Sequence, residues 1–209
     1  MDKFIKYQEM LIETNKKFNL TSIDDPEEIK IKHFEDSLTI KNYINKGMKV
    51  LDIGSGAGFP GIPLRIEKDF DLTLIDSVNK KVKFMNEVIE ELGLENTRAI
   101  HVRAEDFAKD NREKFDLVIS RAVANLSTLS EYALPFLKVG GIFIAMKGPK
   151  AEEEYKDAQN ALKILGGELI NIDTIDLHGN TRKNILIKKV RSTKKKYPRG
   201  KNQAKKNPL

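Results

Sequence analysis

The sequence predicts an α/β fold in which a mainly parallel sheet carries helices on both faces. Three features predict it: short apolar strands alternate with amphipathic helices, a glycine-rich turn follows the first strand, and two apolar runs end the pattern. Repeated strand–helix units favour parallel pairing because the connecting helix packs back over the sheet. Ligands of such sheets bind at the carboxyl ends of the strands.

Two helices are predicted before the sheet. Residues 2–18 place apolar side chains at helical spacing. The segment Asp25-Pro26-Glu27-Glu28 is typical of a helix start, because Asp25 can cap and Pro26 fits the first turn. The second helix is expected to run to a break at Lys46-Gly47.

Strands and helices alternate after that break. The strands are predicted at Lys49–Ile53, Asp71–Ile75, 98–102, Asp116–Ser120 and Gly141–Met146, and the helices at 61–69, 79–92, 127–138 and 150–165. Two final runs, Glu168–Ile175 and Asn184–Val190, flank a turn and predict a closing antiparallel pair. We expect one domain over 1–209, with a helical extension (1–46), a core (47–190) and a basic tail (191–209).

The composition limits the class of protein. The chain has 209 residues and no cysteine, which excludes disulfides, cysteine-ligated zinc and a thiol nucleophile. No stretch has the ~20 uncharged apolar residues that cross a bilayer, and the N-terminal segment, with Asp2, Lys3, Glu9 and Glu13 among its apolar positions, is unlike a signal peptide. We expect a cytoplasmic, monomeric enzyme with no metal and no membrane partner.

Positive charge is concentrated in the tail. Residues 188–209 hold ten Lys or Arg and no Asp or Glu, whereas the chain as a whole has a net charge of +6. Such a run is either a solvated, disordered end or a surface that contacts a polyanion.

The glycine-rich turn spans Asp52–Gly61 and fits two kinds of cofactor site. Gly56, Gly58 and Gly61 match the G-x-G-x-x-G pattern of dinucleotide-binding proteins. Asp52 followed by Gly54, Gly56 and Gly58 also gives the D-x-G-x-G-x-G pattern of methyltransferases. The glycines alone do not choose between the two, and a structural turn without a ligand is a third interpretation.

Charged residues follow the other strands. Asp76 ends the second strand and can accept hydrogen bonds from both ribose hydroxyls of an adenosine, or can simply cap the next helix. Glu105, after the third strand, either lies beside the adenine edge or is a solvated first-turn acid. Arg121 and Lys147 end the fourth and fifth strands. With Gly54 these residues should share one rim of the sheet, which predicts a ligand site.

Methyl transfer fits the chain better than hydride transfer. A dehydrogenase usually adds a substrate domain, for which little chain remains, and His33, His101 and His178 form no obvious constellation. The final strand pair resembles the antiparallel insertion of methyltransferase sheets. We therefore predict a class I S-adenosylmethionine-dependent methyltransferase: a Rossmann-like sheet with helices on both faces, an N-terminal helical extension and a closing antiparallel strand pair.

The methyl acceptor is narrowed by what is missing. Carbon-5 methylation of pyrimidines uses a cysteine nucleophile, which this chain lacks. Ser120-Arg121-Ala122-Val123 is not the Asn/Asp-Pro-Pro-aromatic motif that serves exocyclic amines. A ring nitrogen such as guanine N7 needs alignment and electrostatics more than a general base. O-methylation of a small molecule stays open.

Nearly the whole chain resembles one family, ribosomal RNA small subunit methyltransferase G, also called glucose-inhibited division protein B. The segments that carry the resemblance are Asn15–Thr21, His33, Asp36–Leu38, Asp52–Leu64, Asp76-Ser77, Arg103–Glu105, Ser120–Ala122, Lys147-Gly148, Lys196–Arg199 and Pro208-Leu209.

The resemblance implies methylation of guanine N7 at position 527, in the usual numbering, of 16S ribosomal RNA, free or in the small ribosomal subunit. It implies that S-adenosylmethionine contacts the glycine loop and the strand ends, and that the tail contacts RNA. The expected cofactor-binding residues are Gly54, Gly56, Gly58, Phe59, Asp76, Ala104, Glu105 and Arg121. The expected guanine-positioning residues are Arg121, Lys147, Ser77 and His33, and the expected RNA-binding residues are Lys194, Lys195, Lys196, Tyr197 and Arg199.

The sequence leaves two other functions open. One is a methyltransferase that acts on a small molecule or a protein. The other is a non-catalytic RNA-binding protein with a degenerate cofactor pocket. No general base is assigned.

Overall fold

The computed structural model describes residues 2–121 and 124–209. Ala122 and Val123, at the end of the predicted Ser120–Ala122 segment, lie outside the described residues, as does Met1. The strands are β1 (Lys49–Ile53), β2 (Asp71–Asp76), β3 (Thr97–His101), β4 (Phe115–Arg121), β5 (Leu137–Lys147), β6 (Gly167–Leu177) and β7 (Asn180–Lys189).

The strands form one sheet in the order β3-β2-β1-β4-β5-β7-β6. The first five strands pair in parallel, and β7 runs antiparallel between β5 and β6. The chain reverses direction across the sheet at β1, from which β2 and β4 depart on either side. This arrangement confirms the predicted fold class, including the closing antiparallel pair.

Helices cover both faces of the sheet. In chain order they are α1 (Lys3–Asn15), α2 (Pro26–Ile29), α3 (Asp36–Leu38), α4 (Gly61–Glu67), α5 (Asn79–Glu91), α6 (Ala104–Phe107), α7 (Leu126–Ala133), α8 (Ala151–Leu165) and α9 (Gln203–Lys206). A π-helical turn over Lys30–Glu35 joins α2 to α3, and Asp25 caps α2 through a 2.9 Å bond from the Glu28 amide. In the part of the chain described, none of these helices is long and apolar enough to cross a membrane.

Alternate residues of the central strands supply two separate cores. Val50 of β1 packs with Tyr7 of α1 and Ile62 of α4 on one face. Leu51 packs with Leu129 of α7 and other apolar side chains of α7 and α8 on the opposite face. Because strand side chains alternate, a central strand between two cores is buried on both faces, and every residue of β1 from Val50 to Ile53 is buried. The N-terminal extension therefore belongs to the core beside the glycine turn.

The basic tail is packed against the body of the protein. Tyr197 is 5% exposed and joins the core formed by α7 and α8. Arg199 forms an ion pair with Glu131, whose side chain is fully buried, and the Thr128 hydroxyl donates to the Ala204 carbonyl at 3.0 Å. The interpretation of the tail as a disordered end is therefore wrong for its backbone, although the side chains of residues 194–196 are exposed.

Candidate active site

An open cavity of about 970 Å³ lies at the carboxyl ends of β1, β2 and β3. Most of the residues that the sequence predicted for the site line it, and they come from the glycine turn, the strand ends and the N-terminal extension. Those lining residues are His33, Gly54, Gly56, Phe59, Asp76, Ser77, Ala104, Glu105 and Arg121.

The glycines of the turn have different roles. Gly54 and Gly56 have φ angles of +68° and +61°, in the left-handed region that glycine adopts without strain. Gly56 has open space where a side chain would start, so its backbone faces the cavity. A Cβ on Gly58 would lie 2.5 Å from Ile62 and 2.6 Å from the Tyr7 hydroxyl. Gly58 therefore serves packing under the turn, and it does not line the cavity.

Asp52 fixes the base of this turn from below. Its carboxylate is fully buried and accepts a 2.8 Å hydrogen bond from the Gly61 amide at the start of α4. Burial raises the pKa of Asp52 well above its usual value, and the Gly61 bond opposes that rise. The aspartate that opens the D-x-G-x-G-x-G pattern thus shapes the turn and does not reach the cavity.

Asp76 lies at the centre of the cavity wall. Its two carboxylate oxygens accept hydrogen bonds from the amides of Gly56, at 3.0 Å, and Val78, at 2.8 Å. Each carboxylate oxygen can accept a second hydrogen bond, so the group can hold two vicinal hydroxyls as well. The alternative role as a helix cap does not apply, because α5 begins at Asn79 and its N-cap residue is Val78.

Glu105 lines the cavity and has one carboxylate oxygen without a partner. Its Oε1 is buried and has no hydrogen-bond partner among the described residues, since the Arg103 guanidinium is 3.9 Å away. A buried acceptor without a donor is costly, so this oxygen fits a ligand that presents an N–H group, such as the amine of adenine. Together with Asp76, it gives the cavity two carboxylates that can accept hydrogen bonds from the donors of an adenosine.

Arg121 joins the N-terminal extension to the sheet. Its guanidinium donates to the Lys32 carbonyl at 3.0 Å, to Asp36 at 2.9 Å and to His33 Nδ1 at 3.0 Å. It also lies 5.1 Å from the centre of the Phe59 ring, on which His33 stacks at 4.4 Å. The result is a rigid aromatic and cationic wall beside the glycine turn.

His33 is neutral at physiological pH in this environment. Burial, and then the positive charge of Arg121, lower its pKa from 6.5 to about 4. The ring lies between Arg121 and Thr21, whose hydroxyl is 2.9 Å from Nε2.

Lys147 is turned away from the cavity. Its ammonium forms a 2.8 Å ion pair with Glu154 of α8 and donates to the Ala124 carbonyl, and its side chain is 6% exposed. Ser77, at the other end of the predicted guanine site, does line the cavity. The structure thus brings Arg121, Ser77 and His33 to one cavity but not Lys147.

Several cavity residues were not singled out from the sequence. They include Thr21 from the extension, Lys81 from α5, Arg103 just before α6, Tyr132 from α7, and Asn202, Lys205 and Lys206 from the tail. The Arg103 guanidinium donates to the Asn202 side chain at 2.9 Å, which fixes the tail to the rim of the cavity. Thr21 and Arg103 do lie in the segments that carry the family resemblance, which was the available signal.

The five predicted RNA-binding residues fall into two groups. Lys194, Lys195 and Lys196 are exposed. Tyr197 is buried, so it could stack on a base only if the tail moved away from the body of the protein. Arg199 donates hydrogen bonds to the Glu131 carboxylate from Nε and Nη2. Within the described ranges, no cluster of His, Asp or Glu could hold a metal ion.

Solved structures support the fold. A structure entitled SAM-dependent methyltransferase, from Aquifex aeolicus, superposes with a TM-score of 0.62 at 20% identity and covers 86% of this chain and 98% of that one. A putative transferase from Pyrococcus horikoshii gives 0.64 at 18% identity, covering 76% of this chain and 63% of that one. The sheet and its cavity define the fold class of class I S-adenosylmethionine-dependent methyltransferases.

The sequence relatives are closer. A family model described as rRNA small subunit methyltransferase G matches residues 1–185. A relative of that name from Desulforamulus reducens is 52% identical and covers 94% of this chain and 85% of its own length. One from Clostridium novyi is 46% identical, covering 100% and 88%. The chain belongs to the rRNA small subunit methyltransferase G family, which confirms the resemblance and the assignment to S-adenosylmethionine-dependent methyltransferases.

Proposed function

We propose that the protein transfers a methyl group from S-adenosylmethionine to N7 of a guanine in 16S ribosomal RNA, within the small ribosomal subunit or its precursors. The observation that carries the proposal is the single cavity that is lined by Asp76, by Glu105 with its unpaired carboxylate oxygen, by the glycine turn and by Arg121. The family match over residues 1–185 supports the choice of RNA.

Each cavity residue has a proposed role. Asp76 would accept hydrogen bonds from the ribose hydroxyls, and Glu105 would accept one from the adenine amine. The backbone of Gly54 and Gly56 lines the cavity and would approach the amino-acid part of the cofactor, because these two positions carry no side chain. Ala104 and Phe59 would add apolar surface. The bound cofactor supplies an electrophilic methyl group on a sulfonium.

The chemistry requires no general base. Guanine N7 has a free lone pair and carries no proton, so none of the side chains has to remove one. Arg121 is held by Asp36 and His33 and adds a fixed positive charge beside Phe59. What the site contributes is orientation and electrostatic stabilisation, each of which lowers the barrier without proton transfer.

RNA attraction is assigned to the exposed lysines of the tail. Lys194, Lys195 and Lys196 are exposed, and Lys205 and Lys206 line the cavity rim. Ammonium groups there attract phosphates without regard to sequence, with an affinity that falls as salt rises. We infer that the enzyme acts as a monomer in the cytoplasm, where small subunits are assembled.

The test combines the enzyme, labelled S-adenosylmethionine and small ribosomal subunits that lack the modification. We expect one labelled guanine, and chemical cleavage at N7-methylguanine should map it to one position. Label on protein or on small molecules, with none on the subunits, would favour the small-molecule or protein methyltransferase. RNA binding without retention of labelled cofactor would favour a non-catalytic RNA-binding protein.

A second experiment isolates the role of the tail. Deletion of residues 192–209 would also remove Tyr197 from the core, so substitution is preferable. Replacing Lys194, Lys195 and Lys196 by Gln should weaken subunit binding and reduce the steepness of its salt dependence by about 0.7–0.9 per lost phosphate contact. The matched control replaces three exposed lysines at the amino ends of the central strands β1 and β4, away from the cavity, and should leave binding unchanged; they are Lys46, Lys49 and Lys114.

A further inference from the structure

Thr21 is held in a fixed position at the mouth of the cavity. It lies in the loop between α1 and α2 and lines the cavity beside Leu20. The side-chain oxygen of Asn15, at the end of α1, accepts hydrogen bonds from the amides of Leu20 at 2.8 Å and Thr21 at 3.0 Å. The backbone that carries the Thr21 hydroxyl is therefore tied to the helix before it.

Two groups face the Thr21 hydroxyl oxygen. The amide of Ile23 donates to it at 3.2 Å, and Nε2 of His33 lies 2.9 Å away. The direction of the second hydrogen bond depends on which ring nitrogen of His33 carries the hydrogen.

Arg121 settles that question. Its guanidinium lies 3.0 Å from His33 Nδ1 and has only donors, so Nδ1 must be the acceptor. A neutral imidazole whose Nδ1 accepts carries its hydrogen on Nε2. His33 therefore donates to Thr21, and Asp36 and the Lys32 carbonyl hold Arg121 in the orientation that enforces this tautomer.

Both lone pairs of the Thr21 oxygen are thus occupied by donors. The hydrogen of the hydroxyl is left to point toward the cavity, and Thr21 can act toward a ligand only as a donor. We propose that the Thr21 hydroxyl donates a hydrogen bond to O6 of the target guanine, which aligns the base and selects it over adenine. This inference rests on the proposed function, and it makes His33 a positioning residue that acts through Thr21.

The edge of guanine that carries N7 fits this donor. Guanine presents two neighbouring acceptors there, N7 and O6, whereas adenine presents N7 and an amine. A donor on O6 leaves the N7 lone pair free to form the bond to the methyl carbon, as the carbon–sulfur bond breaks and its electron pair stays on sulfur. Thr21 neither gains nor loses a proton. With adenine, two donors would face each other, which disfavours binding.

The test pairs a protein change with a base change. Thr21→Val keeps the shape and removes the hydroxyl, and Thr21→Ser keeps the hydroxyl. On small subunits with guanine at the target, we expect single-turnover methylation to fall about 10- to 100-fold for Thr21→Val, because O6 is left without a donor. Thr21→Ser should stay within a few fold of wild type, and the Kd for S-adenosylmethionine should be unchanged in both.

Subunits reconstituted with 2-aminopurine at the target lack O6 and provide the second arm. Wild type should lose about the same factor on this base as Thr21→Val loses on guanine, and combining the two changes should cost little more than either. Wild-type methylation of 2-aminopurine at the guanine rate would overturn the inference without any variant. The inference would also be overturned if the rate losses from Thr21→Val and from 2-aminopurine were additive when the two changes are combined. An inactive wild type on guanine would instead overturn the proposed function.

Discussion

Replacing Asp76 by Ala should separate cofactor binding from folding. The carboxylate has two oxygens, each of which already accepts one backbone amide and retains room for one hydroxyl. A hydrogen bond to a charged group contributes about 1.5–3 kcal/mol, so losing two ribose bonds should cost at least about 3 kcal/mol. At 1.4 kcal/mol per tenfold, the Kd for S-adenosylmethionine should rise about 100-fold or more.

Isothermal titration calorimetry measures this Kd directly. The matched control is Asp106→Ala, which removes the same charge from an exposed position on α6 and should leave the Kd unchanged. Asp76→Asn keeps one acceptor oxygen, and its Kd for S-adenosylmethionine should fall between those of Asp106→Ala and Asp76→Ala. A Kd for Asp76→Ala within threefold of wild type, in a variant that melts normally, would refute the assignment of the ribose to Asp76.

Three further predictions concern stability. Gly58→Ala should lower the free energy of unfolding by about 3 kcal/mol, because its new Cβ would overlap buried atoms. Gly56→Ala places its Cβ in open space and should lower the free energy of unfolding by only about 1 kcal/mol. Urea denaturation of both variants measures the difference. Arg199→Met leaves the Glu131 carboxylate buried without its partner and should lower the free energy of unfolding by about 3–5 kcal/mol. Adding Glu131→Leu should restore most of that loss, and a double-mutant cycle measures the recovery. The pKa of His33 is lowered to about 4 in the folded protein, so the unfolded chain takes up a proton at higher pH than the folded chain. The free energy of unfolding should therefore fall by up to about 3 kcal/mol between pH 6.5 and about pH 4. A flat pH profile in wild type, or the same slope in His33→Gln, would contradict this prediction.

The residues at the strand ends could be predicted from the sequence, because the pattern that places them there is contained in short segments of the chain. Alternating strands and helices place Asp76 and Glu105 at one edge of the sheet, and the glycine turn must follow β1, so no long-range packing has to be known. The position of Arg121 followed in the same way. The hydrogen-bond partners of Arg121 could not be predicted in this way. Asp36 is 85 residues away in sequence and belongs to the N-terminal extension, whose position on the sheet depends on packing.

The same limit explains Lys147 and the tail. Lys147 ends β5 as expected, but Glu154 on the following helix attracts its ammonium away from the cavity. Charge alone left the tail open between a solvated end and a polyanion contact, because Glu131, the carboxylate that pairs with Arg199, lies on α7 and is 68 residues away in sequence. Neither pairing has a pattern in the sequence that would distinguish it from many others.

The seat of the tail also affects when the site can form. Ile53, Gly54 and Ser55 line the cavity from β1 and the glycine turn, and Asn202 and Lys205 line it from the tail. During synthesis, the glycine turn is made long before Asn202 and Lys205. The nascent chain can therefore pair β1 with β2 early, whereas the part of the lining that comes from the tail is added only after the whole sheet has been made.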